Sequence, residues 1–385
     1  MKLLNAWTLE LDDPAIAVSE ILDQLNLERN AQKNSVGLIT CSYDFIEAGM
    51  VQEICNALPF DVVGCTTLTN ASNEEAGSML LCLTVLTADD CQFVTAVTES
   101  IAKDLEGATT AAAKQAKDSL PGPARLTFAF LPRFGGLGGE EALSALDKAL
   151  DSTPLFGTVA CDYDTANYSN SHTIRNGECF KDRISFVLIS GNVNPRFVML
   201  TTSEQNLKKQ QAIITSSEGS ILKRINNMTA KEYFESIGLT SRRGVEAMSS
   251  VPFMVDYADG AQPIARAIYC LNDDGSAVCG GAMPEGSGLY IGKMEVEDIL
   301  QTAEKSSKTL LESDDLNGIV MFPCLGRYMV LAMDPMAEIN TVRDIIGDRI
   351  PWHFAYSGGE CCPVYASDGQ PINRFHNFTF IGCAL

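Results

Sequence analysis

Between Ile350 and Leu385 the chain carries one basic residue, Arg374, and two acids, Glu360 and Asp368. A segment so poor in charge belongs in a core. Any charge buried there costs several kcal/mol unless it is paired. Glu360 ends the run "WHFAYSGGE" and is followed by Cys361 and Cys362. An internal partner or a bound molecule must therefore satisfy it. Thiol chemistry is a second possibility: Cys324 lies in "FPCLGR", and His376 is a candidate base for it.

Other chemistries lack their spacing. The 3 histidines, His172, His353 and His376, and the 13 cysteines form no zinc-type pattern. Cys361 and Cys362, adjacent in a strand, point to opposite faces and cannot easily share one metal. The glycine-rich "RFGGLGGEE" at 133–141 has neither a G-x-G-x-x-G pattern nor a P-loop lysine, and Glu140 and Glu141 would repel phosphate at the start of the next helix. There is no G-x-S-x-G elbow. No metal, cofactor or nucleotide is expected, and most cysteines read as small apolar core residues.

The elements that must position Glu360 and Cys324 recur along the chain. A strand at Val36 to Cys41 precedes a helix with Ile46, Met50, Ile54 and Leu58 on one stripe, then Pro59 and a strand closing on Gly64. The pattern returns with Leu143, Leu146 and Leu150, Pro154 and Gly157, and again with Ile339, Val342 and Ile346, Pro351 and Gly358. If the units are copies, the glycine-ended strand tips occupy equivalent places, and ligand sites form at such carboxyl ends. "MLLCLTVL" at 79–86 reads as a buried strand, and "TAKEYFESIGL" as a helix with a Thr229–Glu232 capping box. The expected fold is α/β to α+β: two related lobes of mostly β sheet flanked by helices, with duplicated strand–helix–strand units. A polar stretch places a boundary near 205–218, giving domains 1–210 and 211–385.

The 385 residues carry a formal charge of −21, with 49 acids against 28 basic residues. That field repels nucleic acid and anionic membrane surfaces. Glu10, Asp12 and Asp13 interrupt the apolar start before a signal-peptide core forms, and the reduced thiols indicate a cytoplasmic protein.

In the C-terminal third, "PEGSGLYIG", "FPCLGR", "FAYSGGE" and "FHNFTF" follow one another in an order that resembles the FIST family. "VVGCTT" at 62–67 and "PLFGTVACD" at 154–162 are similar to turns of its N-terminal domain. The resemblance implies a sensory module that binds a small ligand such as an amino acid and, having no output domain here, signals through a separate protein. It implies ligand-binding roles for Cys324, Arg327, Tyr356, Gly358, Glu360, His376, Asn377 and Thr379, with Cys65, Thr66 and Asp162 from the N-terminal half. Arg327 can hold a carboxylate and Glu360 an ammonium group, while Tyr356, Asn377 and Thr379 offer neutral hydrogen bonds. The competing arrangement is an Arg327–Glu360 ion pair that binds nothing. Two other functions stay open: a thiol hydrolase or transferase using Cys324 with His376, and an acidic scaffold for a basic partner.

Overall fold

The computed structural model describes residues 1–385 except 134–137, 165–166, 203–211, 240–250, 293, 313–314 and 333. Its first repeat comprises β1 (Lys2–Thr8), α1 (Pro14–Leu25), α2 (Leu27–Asn30), β2 (Asn34–Cys41), α3 (Tyr43–Glu47), α4 (Met50–Ala57), β3 (Val62–Thr66), the hairpin β4 (Asn70–Ser72) and β5 (Ala76–Gly77), and β6 (Leu81–Ala88). A second repeat follows the same plan: β7 (Cys91–Val97), α5 (Leu105–Ser119), β8 (Ala124–Leu131), α6 (Gly139–Ala149), β9 (Leu155–Val159), hairpin β10 (Thr173–Arg175) and β11 (Glu178–Phe180), and β12 (Ser185–Gly191).

The third repeat begins at β13 (Arg196–Leu200) and is interrupted by an inserted lobe. That lobe contains β14 (Ala212–Glu218), β15 (Ile221–Ile225), β16 (Met228–Thr229), α7 (Ala230–Ser236), β17 (Phe253–Asp256), β18 (Ile264–Arg266), β19 (Ile268–Leu271), β20 (Ala277–Cys279) and β21 (Gly288–Ile291). The repeat then resumes with α8 (Val296–Leu310), β22 (Ile319–Met321), α9 (Leu325–Val330), α10 (Pro335–Ile346), β23 (Trp352–Ala355), hairpin β24 (Glu360–Tyr365) and β25 (Pro371–His376), and β26 (Phe380–Ala384).

Three six-stranded sheets of one topology result. Their orders are β1-β6-β2-β3-β10-β11, β7-β12-β8-β9-β24-β25 and β13-β26-β22-β23-β4-β5. In each, among the described residues, the only parallel strand pair is the strand–helix–strand unit: β2 with β3, β8 with β9, and β22 with β23. Each repeat gives its hairpin away. The first sends β4–β5 to the third sheet, the second sends β10–β11 to the first, and the third sends β24–β25 to the second. The expected duplication is thus threefold, and the exchanged hairpins tie the beginning of the chain to its end.

Each sheet buries one face beneath its own helices. Ile21, Ile54 and Leu83 pack in the first such core, Leu146, Phe186 and Ala113 in the second, and Ile339, Trp352 and Ala303 in the third. The opposite faces meet in a shared core of Val36, Phe128, Phe156, Val320 and Ile381. Phe156 stacks on Phe322 of the third repeat with centroids 5.5 Å apart, a contact worth roughly 0.5–1.5 kcal/mol beyond area burial. His353 of β23 bridges into the first sheet: Thr40 Oγ1 is 2.9 Å from Nε2 and Thr84 Oγ1 is 3.0 Å from Nδ1. Burial lowers its pKa to about 4, so it is neutral.

Several local expectations hold. Residues 81–88 are a fully buried strand, and Thr229 and Glu232 form a complete capping box. Cys361 and Cys362 enter different cores. Two expectations change. The helix expected over Ile46 to Leu58 is broken into α3 and α4, because Gly49 adopts φ 77° and that left-handed conformation cannot continue a helix. The three glycines are also not equivalent. Gly64 and Gly157 are, since a Cβ on them would lie 1.8 Å from the Ile39 carbonyl oxygen and 1.9 Å from that of Ala129. Phe354 occupies the corresponding register position in the third unit, and Gly358 lies in the turn beyond it. The expected 205–218 boundary lies partly outside the described residues.

Candidate functional site

The carboxyl ends of the three parallel pairs converge. Thr67 N donates to Cys41 O at 2.9 Å, Ala160 N to Leu131 O at 2.8 Å and Ser357 N to Pro323 O at 2.8 Å, one equivalent bond per repeat. The strand ends then bond to one another across repeats: Cys161 N donates to Thr66 O and Gly358 N to Val159 O, both at 3.0 Å. The strand tips therefore do occupy equivalent places, although glycine is not what marks them.

The exchanged hairpins enter at equivalent positions too. Thr173 lies opposite Cys65, Glu360 opposite Thr158 and Asn70 opposite Ala355. Two of these residues are satisfied within the fold. Thr173 Oγ1 donates to Arg183 O at 2.7 Å. Asn70 accepts from Thr67 Oγ1 at 2.7 Å and donates to Leu80 O at 3.0 Å. Glu360 differs. Its Oε2 accepts from Thr379 N at 3.2 Å, but its fully buried Oε1 has no hydrogen-bond partner. Burial pushes its carboxyl well above the usual range, and the Cys324 thiol, the Thr379 N–H and the Arg327 charge offset this only in part. Burial without a charged partner favours its neutral form.

Because β24 belongs to the second sheet, the turn that precedes Glu360 meets the loop after β8. Arg133 there donates from Nη1 to Gly358 O at 2.9 Å and lies over the Tyr168 ring, 3.7 Å from its centroid. Tyr269, from β19 of the inserted lobe, faces Arg133, Cys324 and Glu360 together. Cys161 also senses both Arg133 and Glu360. One cation, one neutral acid, two phenols and two thiols are thus gathered from the second repeat, the third repeat and the inserted lobe. Tyr168 and Phe378 border this cluster with φ 52° and 59°, the only aromatic residues in the left-handed region among those described. Such strain concentrates at functional sites.

Arg327 and Tyr356 belong elsewhere. Arg327 donates to Glu338 Oε1 from Nε at 2.9 Å and from Nη2 at 2.6 Å, and Nη2 also reaches Ile299 O and Thr302 Oγ1. Tyr356 donates its hydroxyl to Glu338 Oε2 at 2.8 Å. Arg327 therefore pairs with Glu338 and not with Glu360. His376 stands opposite Glu360 in the β24–β25 ladder, with Nε2 2.9 Å from Cys362 O and Nδ1 unpartnered. No hydrogen bond joins it to Cys324, whose Sγ instead accepts from Gly326 N at 3.3 Å. Burial, and then Glu360, raise the Cys324 thiol well above its normal range, which disfavours the nucleophilic thiolate.

The remaining candidates hold backbone in place. Asn377 accepts from Ala267 N at 3.1 Å and donates to His376 O at 3.0 Å. Thr379 Oγ1 donates to Asn377 O at 2.8 Å. Asp162 accepts from Asp164 N, Asn170 N and Ser171 Oγ. Thr66 bonds with His172, and Cys65 is buried in the central core. Glu140, expected only to favour a helix start, anchors the inserted lobe: Arg266 Nη2 donates to both its oxygens, at 3.0 and 3.1 Å. Arg133, Tyr168 and Tyr269 were not singled out in the sequence. The available signal for Arg133 was its place: it follows β8 where Leu325 follows β22 in the third repeat.

Among the described residues, no group of three or more His, Cys, Asp or Glu could hold a metal, and no helix is long and apolar enough to cross a membrane. A solved structure described as cyanuric acid hydrolase, evolutionary innovation by structural concatenation, is similar over 99% of this chain and 98% of its own, with 9% identity and a TM-score of 0.37. No curated protein matches the chain. The FIST N domain model matches residues 35–228 and the FIST C domain model residues 227–363. The chain therefore belongs to the FIST family, whose domains are associated with sensory signal transduction and ligand binding.

Proposed function

We propose that this protein is a cytoplasmic sensor that binds a small amino acid-like molecule where the three strand ends meet, and that it signals through a separate partner protein. The supporting observation is the contrast among the three equivalent hairpin positions: Thr173 and Asn70 are satisfied by the fold, and Glu360 keeps a buried oxygen without a partner. Arg133, which has no carboxylate partner among the described residues, is the anchor for a ligand carboxylate. This assignment replaces Arg327, whose charge Glu338 already neutralises. Glu360 receives the ligand's ammonium group, with Tyr168, Tyr269 and Cys324 as the neighbouring neutral side chains.

A thermal-shift screen of the purified chain against free amino acids tests this reading. A ligand at ~100 times its Kd stabilises by about 2.7 kcal/mol. The expected result is a saturable shift that disappears in Arg133→Ala and persists in a variant of an exposed residue such as Lys114→Ala. A shift retained by Arg133→Ala removes that residue from the site.

A further inference from the structure

We propose that an ammonium-bearing ligand displaces the proton of Glu360, so that occupancy of this site is coupled to the release of one proton to solvent. This rests on the ligand class proposed above. In the step, the Glu360 Oε1–H bond breaks, the proton leaves to buffer, and the carboxylate pairs with the incoming ammonium group, which stays charged. No other reactant is needed.

The argument is geometric. Glu360 is fully buried, no cation lies within ion-pairing distance of it among the described residues, and one oxygen has no partner. A bare carboxylate cannot persist in such a place, whereas the neutral acid can. The groups around it do not supply the missing charge. Arg327 is spent on Glu338. Arg133 is engaged with Gly358 O and the Tyr168 ring. His376, its cross-strand neighbour, is held neutral, its pKa lowered to about 3 first by burial. Cys324, Cys161 and Tyr269 are all raised by burial and stay protonated. Glu360 therefore holds one proton that a cationic headgroup would make unnecessary. A ligand with a carboxylate but no amine would reach Arg133 and leave that proton in place.

The test is isothermal titration calorimetry of the full chain with glycine, L-serine, L-leucine and L-glutamate, with acetate and propionate as amine-free controls, in phosphate and in Tris at the same pH. For the amino acid that binds, the expected result is net proton release on binding and a Kd that tightens as pH rises from 6 to 8. Acetate and propionate are expected to exchange none. Glu360→Gln, which keeps the size and neutrality of the acid, is expected to bind without proton release. Amino acid binding with no net proton exchange, or unchanged release in Glu360→Gln, overturns the coupling and leaves the sensor reading standing. Failure of every compound to bind, by calorimetry and by thermal shift alike, overturns the sensor reading and the coupling with it.

Discussion

Two buried charge clusters lie a few residues apart in the third repeat, and they are built on opposite principles. Around Arg327, a carboxylate, a threonine hydroxyl and a backbone carbonyl accept from one guanidinium, and the Tyr356 phenol donates to the same carboxylate. Around Glu360, the fold supplies the Thr379 N–H to one oxygen and sets the Cys324 thiol nearby, but among the described residues no cation pairs with the carboxyl. The first cluster holds its own counter-charge and clamps α9 to α10, although Arg327 Nη1 is also buried without a partner. The second holds no counter-charge within ion-pairing distance among the described residues. Residue type does not separate structural from receptive charges here; the presence of an internal counter-charge does.

The sharpest way to break this contrast is Glu338→Ala. It strands Arg327 without its counter-ion, and the expected loss is about 3–5 kcal/mol in urea denaturation. A loss below about 1 kcal/mol would mean that the Arg327 network is not structural. Arg133→Ala should do the reverse. The affinity for a carboxylate ligand should fall roughly 10- to 100-fold, as expected when a charged hydrogen bond worth about 1.5–3 kcal/mol is lost, while the denaturation midpoint barely moves.

Glu360→Gln probes the pH dependence. The folded carboxyl is raised above its unfolded value, so its stability contribution is complete below the unfolded pKa of about 4.5 and is lost as pH rises toward the folded one. Relative to Glu360→Gln, the wild-type chain should therefore weaken progressively from pH 5 to pH 8 in denaturation series. Parallel curves would mean that Glu360 is ionised in the folded protein. The smallest effect belongs to Cys324→Ser. The fold should tolerate it within about 1 kcal/mol, and the native thiol should resist alkylation at pH 7, as read by mass spectrometry of the intact chain. Rapid alkylation of Cys324 alone would revive a thiol-based activity.

Much of the fold was legible because its signals are local. The strand–helix–strand units carry their own periodicity: Leu143 and Leu146 recur at helical spacing and bury together. The charge-poor segment after Ile350 forms closing strands as its composition demands. The Thr229 cap and the opposed Cys361 and Cys362 follow from the geometry of a single element. Glu360, Cys324 and the strand-end turns, all singled out in the sequence, lie near one another.

Arg133 was not legible, because it touches Gly358 across 225 positions of sequence and no local rule relates the two. Neither arrangement open to Arg327 in the sequence, a ligand carboxylate or Glu360, included Glu338, for a similar reason. Glu338 lies only 11 positions on, but whether a helix residue reaches it or Glu360 depends on how α9 and α10 pack. By itself, then, the sequence determined the repeating units, the buried strands and the supply of a few charges to an apolar segment. Only the tertiary structure decided which of those charges are spent. The exchange of hairpins places Glu360 in the second repeat's sheet, opposite Thr158, and long-range strand pairing of that kind is set by the packing of whole sheets against a shared core.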